Sequence, residues 1–222
     1  MSDVAQPLFI IRHGETDYNR AHRLQGHLDI PLNERGRQQA DRLADFLASL
    51  QPRAVFSSPL ARALDTARRA LAGLPEHLSD LRLDERLAER GYGVMEGLTL
   101  VEAFERHPHY RDPYYAHRQL FRPEGGESYG DVAERLSSFT WEQLAGRLGP
   151  VVLFAHGGVA RVLTGLLLPE LPPADLPRII VPNTSLLAFS KGSNGASWAV
   201  AHRHPGGILR PGLPRLRPAG PV

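Results

Sequence analysis

The chain has 222 residues, of which 42% are hydrophobic and 23% charged, with 26 basic and 24 acidic side chains, and this balance is typical of a globular protein with one domain. The sequence contains no cysteine, which excludes disulfides, thiolate nucleophiles and cysteine-based zinc sites. Its arginines are scattered, so no nucleic-acid-binding face is predicted, and no apolar run approaches the roughly 18 residues of a membrane span, so we expect a cytoplasmic protein.

The first predicted element is a short buried strand near the N-terminus. Residues 8–14 read LFIIRHG, four apolar residues followed by an arginine, a histidine and a glycine. Residues 151–158 read VVLFAHGG and repeat the arrangement. Open α/β sheets bind ligands at the carboxyl ends of their strands, so two neighbouring parallel strands would bring both imidazoles to one edge. The two motifs therefore predict a site built around His13 and His156.

A polar loop and an amphipathic helix follow the first strand. We expect residues 17–31 to form the loop, which contains Asn19, Gln25 and Gly26. Asn33 is typical of a helix N-cap. The helix that it begins carries apolar residues on one face. They are Ala40, Leu43, Ala44, Leu47 and Leu50.

The next strand and helix place an arginine near the same edge. Residues 54–56 predict a short strand, and Ser58 as N-cap with Pro59 at the first helical position predicts a helix directly after it. Arg62 falls in the first turn of this helix, off its apolar stripe. It could be a solvated surface residue, but an arginine beside the free N–H groups of a helix start is also a good anion site. Because Arg62 follows a strand end, we favour the anion site.

Residues 81–97 are less regular and contain three candidate carboxylates. The glycines in this stretch have the spacing GxGxxxG, and no clear strand precedes them, so we reject a dinucleotide-binding loop. The side chains available for proton transfer are Glu85, Glu89 and Glu96. The local sequence pattern does not show which of the three would transfer the proton.

The following stretch predicts a short helix and then a lid. Thr99 and Glu102 form a capping-box pattern, and Pro108 ends the helix that it opens. Residues 107–121 are dense in histidine, tyrosine and arginine, which predicts a lid or pocket wall rather than core. The histidines of this segment are His107, His109 and His117. Their spacing fits no standard ligand set, so we do not predict a metal site.

The last third of the chain predicts two helices and two strands. Ser128 and Asp131 form a second capping box, and the nearly all-apolar residues 159–168 predict a buried helix. The final predicted strands are residues 186–189 and 198–201. Residues 205–222 are rich in glycine and proline, and we expect a flexible tail there.

The residues expected at the sheet edge suit the transfer of a phosphoryl group. A neutral imidazole is a competent nucleophile near neutral pH. Arg12, Arg62 and a protonated His156 would neutralise the non-bridging oxygens of a phosphate. A carboxylic acid beside the leaving oxygen would supply the proton that the alcohol needs. This constellation predicts phosphomonoester transfer through a phosphohistidine.

Four motifs together resemble those of the histidine phosphatase superfamily, which has the phosphoglycerate-mutase-like fold. They are RHGET at residues 12–16, SSPLARA at 57–63, GGES at 125–128 and HGG at 156–158. The resemblance implies an α/β fold, a three-layer α/β/α sandwich with a mostly parallel central sheet. It also implies a single domain over residues 1–204, with a cap inserted at about 98–124.

The resemblance also implies roles for individual residues. His13 would be the phosphorylated nucleophile, with the phosphate held by Arg12, Arg62 and His156. The stretch LAERGYGVMEG is similar to the family's L-x-E-x-x-x-G-x-x-E-G element, whose first glutamate is the proton donor, and this selects Glu89. The further substrate contacts implied are Asn19, Gln25, Gly26 and Gly157. The family often has an aromatic residue at Met95 and a larger residue at Gly91, so the local pocket shape is expected to differ.

Phosphatases and mutases of this family share the same machinery. The GGES and HGG motifs and the short chain resemble the broad-specificity and α-ribazole-type phosphatases, so we expect a metal-independent, cofactor-free phosphatase of a small phosphorylated metabolite. The alternatives are a cofactor-dependent phosphoglycerate mutase and, since every expected catalytic position is occupied, less favourably a non-catalytic phosphate-binding module. Composition identifies neither the ester nor an oligomeric state.

Overall fold

A six-stranded sheet runs through the computed structural model, which describes residues 7–75, 80–145, 147, 149–191 and 198–203. The spatial order is β3-β2-β4-β1-β5-β6. The strands are β1 Leu8–Arg12, β2 Ala54–Ser57, β3 Leu81–Leu83, β4 Val151–Ala155, β5 Leu186–Lys191 and β6 Trp198–Arg203. Strands β1 to β4 run parallel, while β5 is antiparallel to β1 and β6 to β5. The predicted, mostly parallel sheet is confirmed, and β3 is the strand that the sequence did not predict.

Helices cover both faces of the sheet. In the described part of the chain the α-helices are α1 Asp17–Arg20, α2 Glu34–Asp41, α3 Ala44–Leu50, α4 Ala61–Leu71, α5 Leu100–Arg106, α6 Arg111–Ala116, α7 Tyr129–Phe139 and α8 Gly157–Leu167. A π-helical turn, Thr140–Leu144, extends α7, and short 3-10 helices occupy Glu85–Leu87, Gly93–Met95, Pro108–Tyr110 and Pro173–Arg178. None of the helices in the described ranges has the length and hydrophobicity needed to cross a bilayer.

The sheet separates two hydrophobic cores, which confirms the three-layer fold. Alternate residues of a strand point to opposite faces, so Phe9 and Ile11 of β1 join a core with α3 and α4. Leu8 and Ile10 of the same strand join the other core with α7 and α8. Strand β4 contributes to both cores in the same way, and all five of its residues are buried. The two central strands are therefore rigidly packed at the position where the site begins.

Two predicted segments before β2 differ from the structure. The expected loop at 17–31 opens with α1, because Thr16 and Asn19 form a reciprocal capping box. Asn33 does cap a helix, accepting the N–H of Gly36 at 2.8 Å. That helix ends at Asp41, however, and a second helix, α3, starts at Ala44. The apolar stripe is thus carried by two consecutive helices rather than by one.

The predicted start of α4 is wrong. The helix begins at Ala61, and Ser58 is not its N-cap. The N–H of Ala61 donates instead to Oδ1 of Asp29 at 2.6 Å, so the helix start is capped from a loop about thirty residues earlier in the chain. Ser58 has a different partner, which lies in the candidate site described below.

Residues 98–124 contain a small core of their own. The capping box of Thr99 and Glu102 is confirmed, and α5 ends before Pro108 as predicted. The expectation that 107–121 lacks core residues is wrong in part, because this segment supplies two buried aromatic residues. The buried cluster consists of Met95, Leu98, Ala103, Tyr114 and Phe121. The described residues include no group of three histidine, cysteine, aspartate or glutamate side chains placed to hold a metal ion.

The described elements after residue 124 follow the predicted order. The capping box of Ser128 and Asp131 opens α7, and α8 is buried along most of its length. Both final strands are present. The predicted tail at 205–222 lies outside the described residues, and the domain limits 1–204 stay a prediction.

Candidate active site

The register of β1 and β4 brings the two predicted histidines together. Arg12, the last residue of β1, is paired with Ala155, the last residue of β4. The N–H of His13 donates to the carbonyl of Ala155 at 3.0 Å, which continues the ladder by one bond. The rings of His13 and His156 follow, with centroids 5.2 Å apart. The predicted meeting of the two imidazoles at one sheet edge is confirmed.

His13 is held in one tautomer. Its Nδ1 lies 2.7 Å from the carbonyl oxygen of Gly14, and a carbonyl can only accept, so Nδ1 carries the ring proton. The lone pair of the neutral ring is therefore on Nε2. The side chain is buried, and burial lowers the pKa of His13 well below its usual value, helped by the positive charges of Arg12 and Arg62. This imidazole is neutral at physiological pH and presents a free nitrogen lone pair.

Arg12 and Arg62 lie beside the histidines, and neither forms an ion pair with a carboxylate among the described residues, although Glu89 acts on the pKa of both. Nη1 of Arg12 donates to the carbonyl of Val181 at 2.6 Å. Burial lowers the pKa of Arg12 to about 10, and Arg161 and Arg62 act in the same direction, against the opposing effect of Glu89. Its Nε is buried without a hydrogen-bond partner. Charge repulsion and an unpartnered N–H group both favour an anion here.

Arg62 is fully buried, so the expectation that it lies off the buried stripe is wrong. Its Nη1 and Nη2 donate to the carbonyls of Leu28 and Gly26, at 2.8 and 2.7 Å. These loop carbonyls replace the water that a surface arginine would have. Burial lowers the pKa of Arg62, and its Nε, like that of Arg12, has no partner. The sequence predicted that Arg62 follows the end of β2, but it did not predict that the side chain is buried against a loop.

His156 is oriented by the serine that was expected to cap α4. Nε2 of His156 lies 2.8 Å from Oγ of Ser58, and both side chains are buried. Oγ also accepts the N–H of Leu60 at 3.3 Å, which leaves the hydroxyl proton available for Nε2. Burial lowers the pKa of His156 well below its usual value, with Arg62, His13 and Arg12 adding to the effect. Its Nδ1 is buried without a partner.

Of the three candidate carboxylates, only Glu89 hydrogen-bonds to the first turn of α8, which follows His156. Its Oε1 accepts the N–H of Gly158, in the first turn of α8, at 3.0 Å, and the N–H of Arg90 at 2.9 Å. Glu85 is exposed. Glu96 instead accepts the backbone N–H groups of His27 and Tyr92. The Glu89 carboxylate is thus held at the start of α8, two residues beyond His156, and its role as proton donor stays a prediction.

The four further predicted contacts line the same region. Oδ1 of Asn19 accepts the backbone N–H of Thr16 and Nδ2 of Asn183, and Oε1 of Gln25 accepts the hydroxyl of Thr16 at 3.0 Å. Gly26 has a positive φ of 50°, and a Cβ there would overlap the Glu96 carboxylate, so only glycine fits. Gly157 is the first residue of α8, where its N–H has no intrahelical acceptor.

Residues 8–202 match the model of the histidine phosphatase superfamily, branch 1. The chain belongs to the histidine phosphatase superfamily. A curated member, the glucosyl-3-phosphoglycerate phosphatase of Mycolicibacterium vanbaalenii, is 37% identical over 207 residues, which span 89% of this chain and 84% of that protein. A 2,3-bisphosphoglycerate-dependent phosphoglycerate mutase of Gloeobacter violaceus is 28% identical over 213 residues, 95% of this chain and 96% of the mutase.

A solved structure shares the fold closely. A mycobacterial glucosyl-3-phosphoglycerate phosphatase in complex with VO3 superposes with a TM-score of 0.76 at 37% identity, over 89% of this chain and 98% of that one. The chain is more similar to the phosphatase than to the mutase, at 37% against 28% identity. Together with the family match, this shows that the protein is a phosphatase.

Several residues that hold the RHG motif at 12–14 in place were not predicted from the sequence. The N–H of Gly14 donates to Thr66 of α4 at 2.9 Å. A Cβ on Gly14 would overlap the backbone of Gly36, so this glycine allows α2 to approach the loop. Nδ2 of Asn183 donates to the carbonyls of His13 and Gly14, at 3.0 and 3.1 Å. Only long-range contacts mark these residues, and no local pattern could have found them.

A second missed group holds the backbone of Glu89. The carbonyl of Glu89 accepts from Nε2 of His27 at 2.7 Å and from Nη2 of Arg135 at 3.2 Å. Arg135 also pairs with Glu127, whose Oε2 accepts the N–H of Gly91 at 2.8 Å. This network fixes the loop from both sides and keeps the Glu89 carboxylate at the start of α8.

The two departures from the family pattern have different consequences. Met95 is fully buried in the cluster that it forms with Leu98, Ala103, Tyr114 and Phe121, so it does not line the site. A Cβ on Gly91 would lie 3.4 Å from Cε1 of His27 and 3.7 Å from Cγ of Glu127. The space that a larger residue at Gly91 would need is thus partly occupied by the His27 ring.

Proposed function

We propose that the chain hydrolyses the phosphate monoester of a small metabolite through a phosphohistidine, without a metal ion. The observation that carries the proposal is the fixed tautomer of His13, whose Nδ1 donates to Gly14 while Nε2 keeps its lone pair. Nε2 would attack phosphorus as the ester oxygen leaves, forming a phosphorus–nitrogen bond. Water would then attack the phosphohistidine, release inorganic phosphate and restore the imidazole.

Three buried N–H groups would hold the phosphoryl oxygens. Nε of Arg12, Nε of Arg62 and Nδ1 of His156 have no partner in the protein. Buried donors are rarely left unpaired unless a ligand uses them. Hydroxyl donation from Ser58 to Nε2 of His156 would put the ring proton on Nδ1, so a neutral His156 could donate to the phosphate. The two guanidinium groups supply the positive charge that a metal ion would otherwise provide.

Glu89 would transfer protons in both steps. The acid would first give its proton to the leaving alcohol and, as the carboxylate, would then take a proton from the attacking water. The N–H of Gly158 donates to the Glu89 carboxylate and holds it at the start of α8, directly after His156. The N–H of Gly157 and the side chains of Asn19 and Gln25 would complete the phosphate shell, with Gly26 shaping the loop.

The test of the mechanism is phosphate release from p-nitrophenyl phosphate in EDTA. We expect turnover by the wild type and none by His13→Ala, because the remaining histidine of the site, His156, would present a protonated Nδ1 to the phosphate and its Nε2 is occupied by Ser58. Loss of wild-type activity in EDTA would contradict the metal-free mechanism, and activity in His13→Ala would contradict the nucleophile. Release of phosphate also separates a phosphatase from a mutase, since a mutase returns the phosphoryl group to a second acceptor.

Glu89→Gln tests the proton donor. An alkyl phosphate needs a protonated leaving oxygen, while p-nitrophenolate leaves unaided, so we expect the variant to lose about 100-fold or more on alkyl esters and far less on p-nitrophenyl phosphate. Single-turnover phosphorylation rates for both esters measure the difference. Glu85→Gln, on an exposed side chain, is the matched control. Equal losses on the two esters would assign the acid elsewhere.

The substrate proposal is limited to a small phosphorylated metabolite of acidic or sugar type. The names of the 37% identical relatives specify a glucosylated phosphoglycerate. A panel of that compound, 3-phosphoglycerate, sugar phosphates and phosphoserine tests the class. The best substrate should exceed p-nitrophenyl phosphate in kcat/KM by at least about tenfold, because binding energy from the leaving group accelerates turnover only in a fitted pocket.

A further inference from the structure

Asn183, in the turn before β5, donates to the loop that carries His13. Its Nδ2 lies 3.0 Å from the carbonyl oxygen of His13 and 3.1 Å from that of Gly14. The same Nδ2 lies 3.1 Å from Oδ1 of Asn19. Backbone carbonyls can only accept, so the amide of Asn183 must turn its NH2 group toward them. The orientation of this side chain is therefore set by the loop of the nucleophile.

The carbonyl of Gly14 connects Asn183 to the His13 ring. This oxygen also accepts the Nδ1–H of His13, at 2.7 Å. One of its lone pairs thus faces the imidazole, and the other faces the Asn183 amide. Because a second donor holds the carbonyl, the Gly14 peptide cannot turn away from the ring without breaking both hydrogen bonds. An acceptor fixed in this way favours the tautomer of His13 with its proton on Nδ1 and its lone pair on Nε2.

Asn183 also fixes the orientation of the Asn19 amide. Oδ1 of Asn19 accepts Nδ2 of Asn183 at 3.1 Å and the backbone N–H of Thr16 at 3.2 Å. Both partners are donors, so the oxygen of Asn19 faces them and its NH2 group is directed away from them. Within the described ranges this NH2 group has no hydrogen-bond acceptor, and a phosphate oxygen would supply one. The contact with Asn183 thereby leaves a donor free on Asn19, a residue expected to contact the phosphate.

The turn that carries Asn183 has a strained backbone. Thr184 has a φ of 53°, in the left-handed region that β-branched residues rarely adopt. Its N–H donates to the carbonyls of Arg12 and His13, at 3.0 and 3.2 Å. Such strain persists only where surrounding contacts impose it, and it is concentrated at functional sites. Here the contacts come from the RHG motif, so the interaction that strains the turn also places Asn183 against the His13 loop.

We propose that Asn183 is a positioning residue that orients the His13 imidazole through the Gly14 carbonyl and the phosphate-binding amide of Asn19 through its oxygen. This inference rests on the proposed function and deepens it, because it names the group that aligns the nucleophile with one of its phosphate contacts. Asn183 itself would transfer no proton and form no bond to phosphorus. Its loss would slow the attack by Nε2 of His13 and weaken the binding of the phosphate.

Asn183→Ala tests the inference, and two of its measurements do not require turnover. Nitrogen-15 NMR should show the His13 proton on Nδ1 alone in the wild type and shared between both ring nitrogens in the variant, because the Gly14 carbonyl is then free to turn. Calorimetry should show vanadate binding weakened about tenfold, the loss expected when one buried hydrogen bond is left incomplete. The rate of phosphohistidine formation in a single turnover should fall about 100-fold, since a displaced nucleophile attacks poorly.

Asn183→Ser keeps a hydroxyl donor on a shorter side chain and should fall between the two; it replaces the alanine variant if that protein does not fold. Asn33→Ala removes the N-cap of α2 and is the matched control, which should lower stability to urea but keep the wild-type tautomer, affinity and rate. An Asn183→Ala variant with the His13 proton on Nδ1 alone, or with the wild-type vanadate affinity or rate, would overturn the inference. If the wild type forms no phosphohistidine, the proposed function fails, while the tautomer and vanadate binding still decide the role of Asn183.

Discussion

At the residue scale, the protonation of His156 depends on one hydroxyl. Ser58 lies 2.8 Å from Nε2 of His156 and already accepts the N–H of Leu60. A donor hydroxyl at this position would make His156 a neutral donor through Nδ1, which removes the need for the protonated imidazole expected from the sequence. The lowered pKa of His156, caused chiefly by burial, fits the neutral form.

Ser58→Ala should weaken inhibition by vanadate about tenfold, because a buried hydrogen bond contributes about 1–3 kcal/mol when one partner is left unpaired. Nitrogen-15 NMR of the imidazole should show the proton on Nδ1 of His156 in the wild type and a mixture of tautomers in the variant. Ser57→Ala is the matched control, since the Ser57 hydroxyl donates to the Ser58 carbonyl and not to His156. Equal weakening in both variants, or a wild-type proton on Nε2, would refute this role.

At the element scale, the start of α4 depends on the loop that also holds Arg62. Asp29 accepts the N–H of Ala61, while Gly26 and Leu28 of the same loop accept from Arg62. A single loop therefore caps the helix and fixes the arginine that the helix carries. Stability of this helix end and orientation of the arginine should change together.

Asp29→Ala should lower the free energy of unfolding by about 0.5–2 kcal/mol, the usual cost of removing an N-cap acceptor. Urea unfolding measures the loss, and KM for p-nitrophenyl phosphate should rise in the same variant because Arg62 is less well held. Asp29→Asn keeps a side-chain oxygen acceptor and should lie close to the wild type. An alanine variant as stable as the wild type would show that the cap contributes nothing.

The elements also show what local sequence can and cannot reveal. The apolar run at 151–154 and the capping boxes of Thr99 with Glu102 and of Ser128 with Asp131 are formed by residues close together in sequence, so local patterns predict them. The burial of Arg62 results from loop carbonyls more than thirty residues away, and the cap of α4 comes from Asp29 for the same reason. Strand β3 has only three residues at the sheet edge, two of them exposed, and no apolar pattern marks it. Within the site, motif order identified the groups at the strand ends, whereas Ser58 and Asn183 were found through their contacts.

At the scale of the whole molecule, two neutral histidines make stability depend on pH. Burial is the main cause that lowers the pKa of His13 and of His156. In the unfolded chain both would take up protons below about pH 6.5, while in the folded protein they do not. The folded state therefore keeps its full stability with respect to these groups above that pH and loses it as the pH falls toward their folded-state pKa values.

Each buried histidine should cost about 1.4 kcal/mol of unfolding free energy per pH unit below about pH 6. Carboxylates titrate in the same range, so we compare the wild type with His13→Gln in phosphate-free buffer. Urea unfolding at pH 7, 6 and 5 should give a shallower pH dependence for the variant, by about one bound proton. Parallel curves for the two proteins would mean that His13 is protonated in the folded state or is accessible to water.

The strand order has a consequence for how the polypeptide is made. Strand β4 lies between β1 and β2, although the ribosome produces it about a hundred residues after β2. The two earliest strands thus have no edge in common, and the nascent chain cannot assemble its central sheet until residue 155 has emerged. Contacts so distant in sequence slow folding. Any fragment that stops before β4 therefore carries His13 without a pocket, and the His13 ring acquires its surroundings only after β4 has been added.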